Sequence, residues 1–251
     1  MFAAVADAYR RTKKPRDILW NRFVARPLAA VLLVPLARTN VTPNQVTFST
    51  LFVFIAGAAL LALCPAWTAL VGAVAILELS YILDCVDGQL ARWKGLSSPV
   101  GAHLDFLMDE IKAFLLVAAV GIRLWRGDGD PRWLVEGVLG LAAVATAISL
   151  TTFIRRPEYA AATGAAVSHG AGDYGEGFDA KPAKAARSPG ALVMAFLSFL
   201  AHYPSYIVFV ALANRMDVFL HVYVALHAAY AARALLTVMR KLGRAAPRTA
   251  T

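Results

Sequence analysis

Long apolar runs alternate with short polar breaks along the whole chain. Runs at about 46–63, 67–91, 100–124, 133–154, 191–213 and 218–239 each approach the ~20 apolar residues that cross a bilayer. The breaks between them carry turn chemistry: Cys64-Pro65-Ala66, Gly95-Leu96-Ser97-Ser98-Pro99, Arg126 to Arg132, and Asn214 to Asp217. Residues 18–37 are also apolar but are interrupted by Asn21, Arg22, Arg26 and Pro27. That pattern predicts an amphipathic helix lying in the membrane interface with Trp20 at headgroup level; a true span is the alternative. The expected architecture is an all-α integral membrane protein, with six transmembrane helices plus an N-terminal amphipathic interfacial helix. It forms a single domain over 1–251. A cytoplasmic tail and interfacial helix occupy 1–44, a six-helix core occupies 45–241 with a cytoplasmic loop at 157–189, and a basic tail occupies 242–251.

Composition agrees with a bilayer environment. The chain is 59% hydrophobic and 16% charged, against about 25% charged in soluble domains. The net charge of +9 has a topological reading. Arg10, Arg11, Lys13, Lys14 and Arg16, the Arg92/Lys94 turn, and the tail with Arg240, Lys241, Arg244 and Arg248 all fall on one side of the predicted spans. The positive-inside rule makes that side cytoplasmic, here that of a bacterial inner membrane. Arg126 and Arg132 lie on the other side, partly balanced by Asp128 and Asp130. No interleaving of basic and aromatic residues points to nucleic acid. Trp67, Trp125 and Trp133 fall at the outer ends and fit an aromatic belt. Cys64 and Cys85 lie near opposite faces, too far apart to bridge, and are read as free thiols.

Ionisable residues inside spans are functional candidates. On one helix, Asp84, Asp87, Gly88 and Ala91 share a stripe at i, i+3, i+4 and i+7; on the next, Gly101, Asp105 and Asp109 share another at i+4 spacing. A turn between them makes a hairpin with both stripes facing one pocket, near the cytoplasmic face. Four carboxylates cannot converge unpaired, because like charges oppose one another and buried charge is costly. Oxygen-only ligation favours Mg²⁺, Mn²⁺ or Ca²⁺ over zinc, and two such ions suit phosphoryl transfer. The alternatives are an ion-pair network with nearby Arg and Lys, for which few cations lie close in sequence, and a transporter or scaffold that uses intramembrane carboxylates. Lys112 lies one turn deeper than Asp109 on the same stripe, and Glu78, at similar depth, is its expected partner. Arg155 and Arg156 end the fourth span and Arg233 lies in the sixth; together they form a candidate site for an anionic acceptor, with snorkelling to lipid headgroups as the alternative.

The pattern Asp84-x2-Asp87-Gly88-x2-Ala91-Arg92-x8-Gly101-x3-Asp105-x3-Asp109 resembles the signature of the CDP-alcohol phosphotransferase family at every fixed position. The Thr42-Pro43-Asn44-Gln45-Val46-Thr47 approach to the first span is also similar. The resemblance implies that a CDP-linked alcohol binds, an acceptor hydroxyl attacks the phosphorus next to the donor alcohol, and CMP leaves. It implies Asp84, Asp87, Asp105 and Asp109 as ligands of two Mg²⁺ or Mn²⁺ ions, with Asp109 also the catalytic base. Gly88, Ala91, Arg92 and Gly101 would bind the nucleotide, with Thr47 lining the same site, and the protein would be a homodimer. The reading is a transferase of phospholipid biosynthesis. CDP-diacylglycerol is the expected donor, and a small polyol, a polyol phosphate or a lipid is the acceptor. The reverse pairing, a soluble CDP-linked alcohol donated to a lipid or a second polyol, fits the same motif.

Overall fold

The computed structural model describes residues 2–14, 17–164, 196–197, 199–200 and 202–243. Most of the expected loop 157–189, the start of the expected fifth span and the basic tail beyond 243 lie outside these residues. Every described element is helical. α1 is Phe2–Thr12, a π-helical turn at Asn21–Ala25 leads into α2, Arg26–Leu36, and α3 is Pro43–Leu63. α4 is Trp67–Lys94, α5 is Pro99–Asp128, α6 is Arg132–Ile154 and α7 is Pro157–Thr163. A 3₁₀ turn at Tyr203–Ser205 precedes α8, Ile207–Leu212, and α9, Met216–Leu242.

Four of these helices, α3, α4, α6 and α9, are long and apolar enough to cross a membrane. α5 has 30 residues, about 45 Å at 1.5 Å per residue, but carries Asp105, Asp109, Glu110, Lys112 and Arg123 along its length. The expected fifth span, 191–213, is interrupted within its described part. Pro204 sits in the 3₁₀ turn, and a helix restarts at Ile207. Proline has no N–H to give a helix and its ring crowds the preceding turn, so the break falls where the sequence places it. The expected N-terminal tail is helical from Phe2, with Ala8 and Thr12 buried.

Two apolar cores hold the helices. The larger joins α3 to α6 with α8 and α9 through Phe54, Leu61, Leu77, Leu116, Val120, Ile207 and Phe219. The smaller seats α1 and α2 against α4 through Ala8, Ala29, Leu33, Cys85, Val86 and Leu90. α4 therefore buries Cys85, Val86 and Leu90 toward α2, which turns the Asp84, Asp87, Gly88 and Ala91 stripe toward α3 and α5. At the other end, a Cβ on Gly121 would come within 3.0 Å of the Trp133 carbonyl and 3.3 Å of Gly137 Cα. Glycine there lets α5 and α6 backbones touch, a packing mode suited to membranes, where small residues permit close contact.

The ends of the hairpin are set by local chemistry. Gly95 ends α4 at φ +67, a left-handed conformation that glycine adopts without a Cβ clash, and Leu96 N–H returns to Ala91 O at 2.9 Å. Ser98 caps α5 by accepting from Gly101 N–H at 3.0 Å. Thr42 and Gln45 form a reciprocal capping box that opens α3. Lys94 then donates to the Thr39 and Val41 carbonyls at 2.7 and 2.8 Å, which fixes the α2–α3 turn beside the hairpin.

Two expectations change here. Arg26, read as a polar interruption, is buried and pairs with Asp17, while Asn21 donates to the other Asp17 oxygen at 2.9 Å. Trp133 is buried rather than part of a lipid-facing belt, because its ring packs in the larger core and against His221, while its indole N–H donates to the exposed Asp128 at 2.7 Å; Trp67 and Trp125 do remain exposed. At the same end Arg123, buried in α5, donates to the carbonyls of Cys64, Pro65 and Ala66 at 2.6, 2.8 and 3.2 Å. It closes the α3–α4 loop, where the Ala66 carbonyl also accepts from Leu70 N–H at 3.1 Å. Cys64 and Cys85 are both free thiols.

Candidate active site

The hairpin α4–α5 and the start of α3 enclose a cleft of about 130 Å³. α3 contributes Pro43, Asn44 and Thr47, α4 contributes Asp87, Gly88, Ala91 and Arg92, and the turn and α5 contribute Leu96 to Ser98, Gly101, Ala102 and Asp105. All five residues read from sequence as nucleotide contacts, Thr47, Gly88, Ala91, Arg92 and Gly101, therefore line one cleft. None of Arg155, Arg156 and Arg233 does. Arg155 is half-buried, and Arg156 and Arg233 are exposed. A hydroxyl contact between Thr151 and Tyr230 at 3.1 Å joins the end of α6 to the middle of α9, one turn before Arg233.

Gly88 shows why a side chain is missing at that point. A Cβ there would meet Arg92 Nη1 at 3.5 Å, an ordinary contact, so the fold does not forbid alanine. The Arg92 guanidinium lies across Gly88 while its Nε donates to the Thr12 carbonyl at the end of α1, 2.9 Å away. Arg92 Nη2 has no hydrogen-bond partner among the described residues. Gly101 is tighter: its Cβ would meet Ser98 Oγ at 3.1 Å and Asn44 Oδ1 at 3.4 Å.

The four aspartates do not form one undivided cluster. Asp84, Asp105 and Asp109 each place one oxygen so that all three lie within 4.8 Å of one another. Asp87 stands on the cleft side of this trio, 5% exposed, and accepts from Thr47 Oγ1 at 2.6 Å. Asp105 belongs to both, lining the cleft and completing the trio. Its Oδ1 is buried without a partner among the described residues.

The expected Lys112–Glu78 pair is not formed. Lys112 Nζ contacts Asp84 Oδ1 and lies 3.3 Å from Asp109 Oδ1. The reason is direction. A helical side chain leans toward its own N-terminus, so Lys112 reaches back along α5 to the level of Asp109, which in an antiparallel hairpin is the level of Asp84. Glu78 lies almost two turns deeper on α4. The sequence placed Lys112 on the Asp109 stripe but gave it Glu78 as partner instead of Asp84 and Asp109. The signal was its i+3 spacing from Asp109, which puts both on one face.

The trio fits a divalent cation. Three carboxylate oxygens within 4.8 Å can share an ion that binds at about 2.0–2.6 Å, all donors are oxygen, and the orphaned Asp105 Oδ1 needs a positive partner. The helical hairpin thus joins a carboxylate trio that could hold a divalent cation to a cleft lined by Gly88, Arg92 and Gly101, with Asp105 shared by both. Residues 40–216 match the CDP-alcohol phosphatidyltransferase family model, and the chain belongs to that family. It is also 37% identical over 89 residues to an archaetidylinositol phosphate synthase from Aeropyrum pernix. That match spans 35% of this chain and 43% of the relative, so less than half the length of the curated relative is covered.

Proposed function

We propose that this protein transfers a substituted phosphate from a CDP-linked alcohol to an acceptor hydroxyl, releasing CMP, in phospholipid synthesis. The observation that carries the reading is a juxtaposition in one cleft. Arg92 Nη2 is a donor without a partner and Asp105 Oδ1 an acceptor without one; both residues line the space between α3, α4 and α5. A phosphate anion with its counter-cation supplies what each lacks. In this reading Gly88, Ala91 and Gly101 leave room for the nucleotide, Thr47 orients Asp87, and Arg92 holds the donor's phosphates.

Asp84, Asp87, Asp105 and Asp109 would hold two Mg²⁺ or Mn²⁺ ions. Such ions, when bound, neutralise the phosphate oxygens and ease departure of CMP. Asp109 accepts the proton of the acceptor hydroxyl. Its side chain is 56% exposed while Lys112 restrains a single oxygen, so a second oxygen can reach the hydroxyl. The acceptor oxygen bonds to the phosphorus that carries the donor alcohol, and the phosphoanhydride bond to CMP breaks.

CDP-diacylglycerol as donor and a polyol phosphate as acceptor suit this chain best. Arg155 and Arg156 after α6 and Arg233 within α9, two helices joined by the Thr151–Tyr230 contact, would recognise the anionic acceptor, and the relative's name is that of a synthase of an inositol phosphate lipid. The six-span topology, the interfacial placement of α1 and α2, the cytoplasmic position of the cleft and a homodimer complete the proposal. Arg92, Lys94 and Arg38 at the cleft end support that side by the positive-inside rule. The test is CMP release by purified protein across donors crossed with acceptors, with and without Mg²⁺ or Mn²⁺. Metal-dependent CMP release with a lipid donor and an anionic polyol is the expected result. Donor binding without CMP from any acceptor overturns the enzyme, and release from a soluble CDP-alcohol with a lipid acceptor reverses the substrates.

A further inference from the structure

Lys112 is a buried cation outside the signature pattern, only 4% exposed, and it contacts carboxylates from two helices. One is Asp84 on α4 and the other Asp109 on its own helix, and both belong to the trio whose oxygens converge within 4.8 Å. We propose that Lys112 is a positioning residue. It is a fixed positive charge that keeps Asp84 and Asp109 converged before a divalent ion binds, and it engages one oxygen of each so that the other remains available to the ion. The inference rests on the metal reading given above.

Three carboxylates this close repel one another, and the repulsion is strongest where burial excludes water. A site built from them alone would open whenever it lost its ions. Lys112 supplies a charge that cannot diffuse away. The residue type also matters. An ammonium is a compact point charge and takes Oδ1 of each carboxylate, whereas a guanidinium fork matches both oxygens of one carboxylate and would compete with an ion for them. The contact joins α4 to α5 at the trio, so the same ammonium sets the spacing of the hairpin there. Removing one partner of a buried ion group leaves the others uncompensated, which is costly. In this site a metal ion is the natural substitute for the missing charge.

This gives the lysine a signature that packing alone would not produce. The full-length protein is purified in detergent, and thermal unfolding is followed in EDTA and in saturating MnCl₂, with Mn²⁺ binding read by electron paramagnetic resonance. Lys112→Met keeps the length of the side chain and removes its charge. In EDTA it should lower Tm by on the order of 5–10 °C, and Mn²⁺ should restore most of that loss. Adding Asp84→Asn to Lys112→Met should restore the EDTA value by removing one uncompensated charge. The double variant gives the same answer where the single one does not fold, since its recovery would again show that charge, not packing, is at stake. A Tm loss equal in EDTA and MnCl₂, no loss at all, or a double variant less stable than the single one would overturn the proposal. Wild-type protein that neither binds Mn²⁺ nor gains stability from it would overturn the metal reading itself; wild type that responds while Lys112→Met shows no metal rescue overturns the Lys112 role alone.

Discussion

Thr47 Oγ1 donates to Asp87 Oδ2 across 2.6 Å and so ties the start of α3 to the acidic face of α4. Both residues are buried, and the bond joins positions 40 apart in sequence. Thr47→Val keeps the shape and removes the donor. A buried carboxylate deprived of a hydrogen bond costs about 1–3 kcal/mol. Thr47→Val should therefore lower stability by that order, seen as a lower Tm, and should raise the KM for the CDP-linked donor more than it changes kcat. An unchanged donor KM would remove Thr47 from the site.

Gly88 separates the demands of the fold from those of the ligand. The nearest atom to a new Cβ is Arg92 Nη1 at 3.5 Å, and alanine is favoured over glycine inside a helix by about 1 kcal/mol. Gly88→Ala should leave Tm unchanged or slightly raised. Donor affinity should nonetheless fall by at least about tenfold, equal to about 1.4 kcal/mol, because the methyl group occupies the cleft floor. Equilibrium binding of a CDP-alcohol, measured beside the melting curve, checks both halves. Intact donor binding would mean that the nucleotide lies elsewhere.

Arg123 is the opposite case, a residue of the fold and not of the chemistry. It donates to three carbonyls of the α3–α4 loop and lies fourteen residues along α5 from Asp109, about 21 Å away. Arg123→Met retains the apolar stem and removes the donors. Stability should fall by on the order of 3 kcal/mol, while kcat for CMP release, assayed well below the new Tm, should stay within about twofold of wild type. A large kcat loss in a protein that remains folded would show that the outer loop communicates with the cleft.

What was legible in the sequence follows from periodicity. Asp84, Asp87, Gly88 and Ala91 recur at helical spacing, as do Gly101, Asp105 and Asp109, and a Gly-Leu-Ser-Ser-Pro turn separates them. The hairpin needs nothing more, while the cleft also takes Pro43, Asn44 and Thr47 from α3. The four acids were legible as a group, but their division was not: Asp87 stands apart from the trio, bonded to Thr47 on another helix. Lys112 was assigned the wrong partner because depth alone matched it to Glu78, and depth ignores the lean of side chains along a helix. Arg26 read as an interruption because its partner Asp17 precedes the helical pattern. Trp133 read as a belt residue because its packing against His221 of α9 lies outside its own helix. In each case the missing information is a contact between elements, which no single element's pattern contains.

The arginines outside the cleft bear on the acceptor. Arg233→Ala should raise the KM for an anionic polyol acceptor by about tenfold and leave the donor KM nearly unchanged, and Arg155→Gln should do the same. Each removes a cation near the Thr151–Tyr230 junction of α6 and α9 without touching the cleft between α3, α4 and α5. A comparison of a polyol with its phosphate ester isolates the charge: wild type should prefer the ester, and the variants should lose that preference. Equal effects on both acceptors would leave the arginines with the lipid headgroups.

Asp109 and Asp87 are chemically alike but differently placed, and their amide variants should part accordingly. Asp87 is buried beside Thr47 in the cleft wall, where it can serve the bound ions and nucleotide but is shielded from an incoming hydroxyl. Asp109 is 56% exposed and held on one oxygen by Lys112, so it can meet an acceptor. Asn has nearly the same shape as Asp but cannot take the proton. Asp109→Asn should lower kcat by at least about a thousandfold, about 4 kcal/mol of transition-state stabilisation, with donor affinity within a few-fold of wild type. In the proposed site Asp87→Asn should weaken donor and Mn²⁺ binding together, because its carboxylate charge would hold both. The measurement is single-turnover CMP release paired with equilibrium binding of the CDP-alcohol. If both variants lose binding equally, Asp109 is a ligand like the others, and the proton must leave by another route.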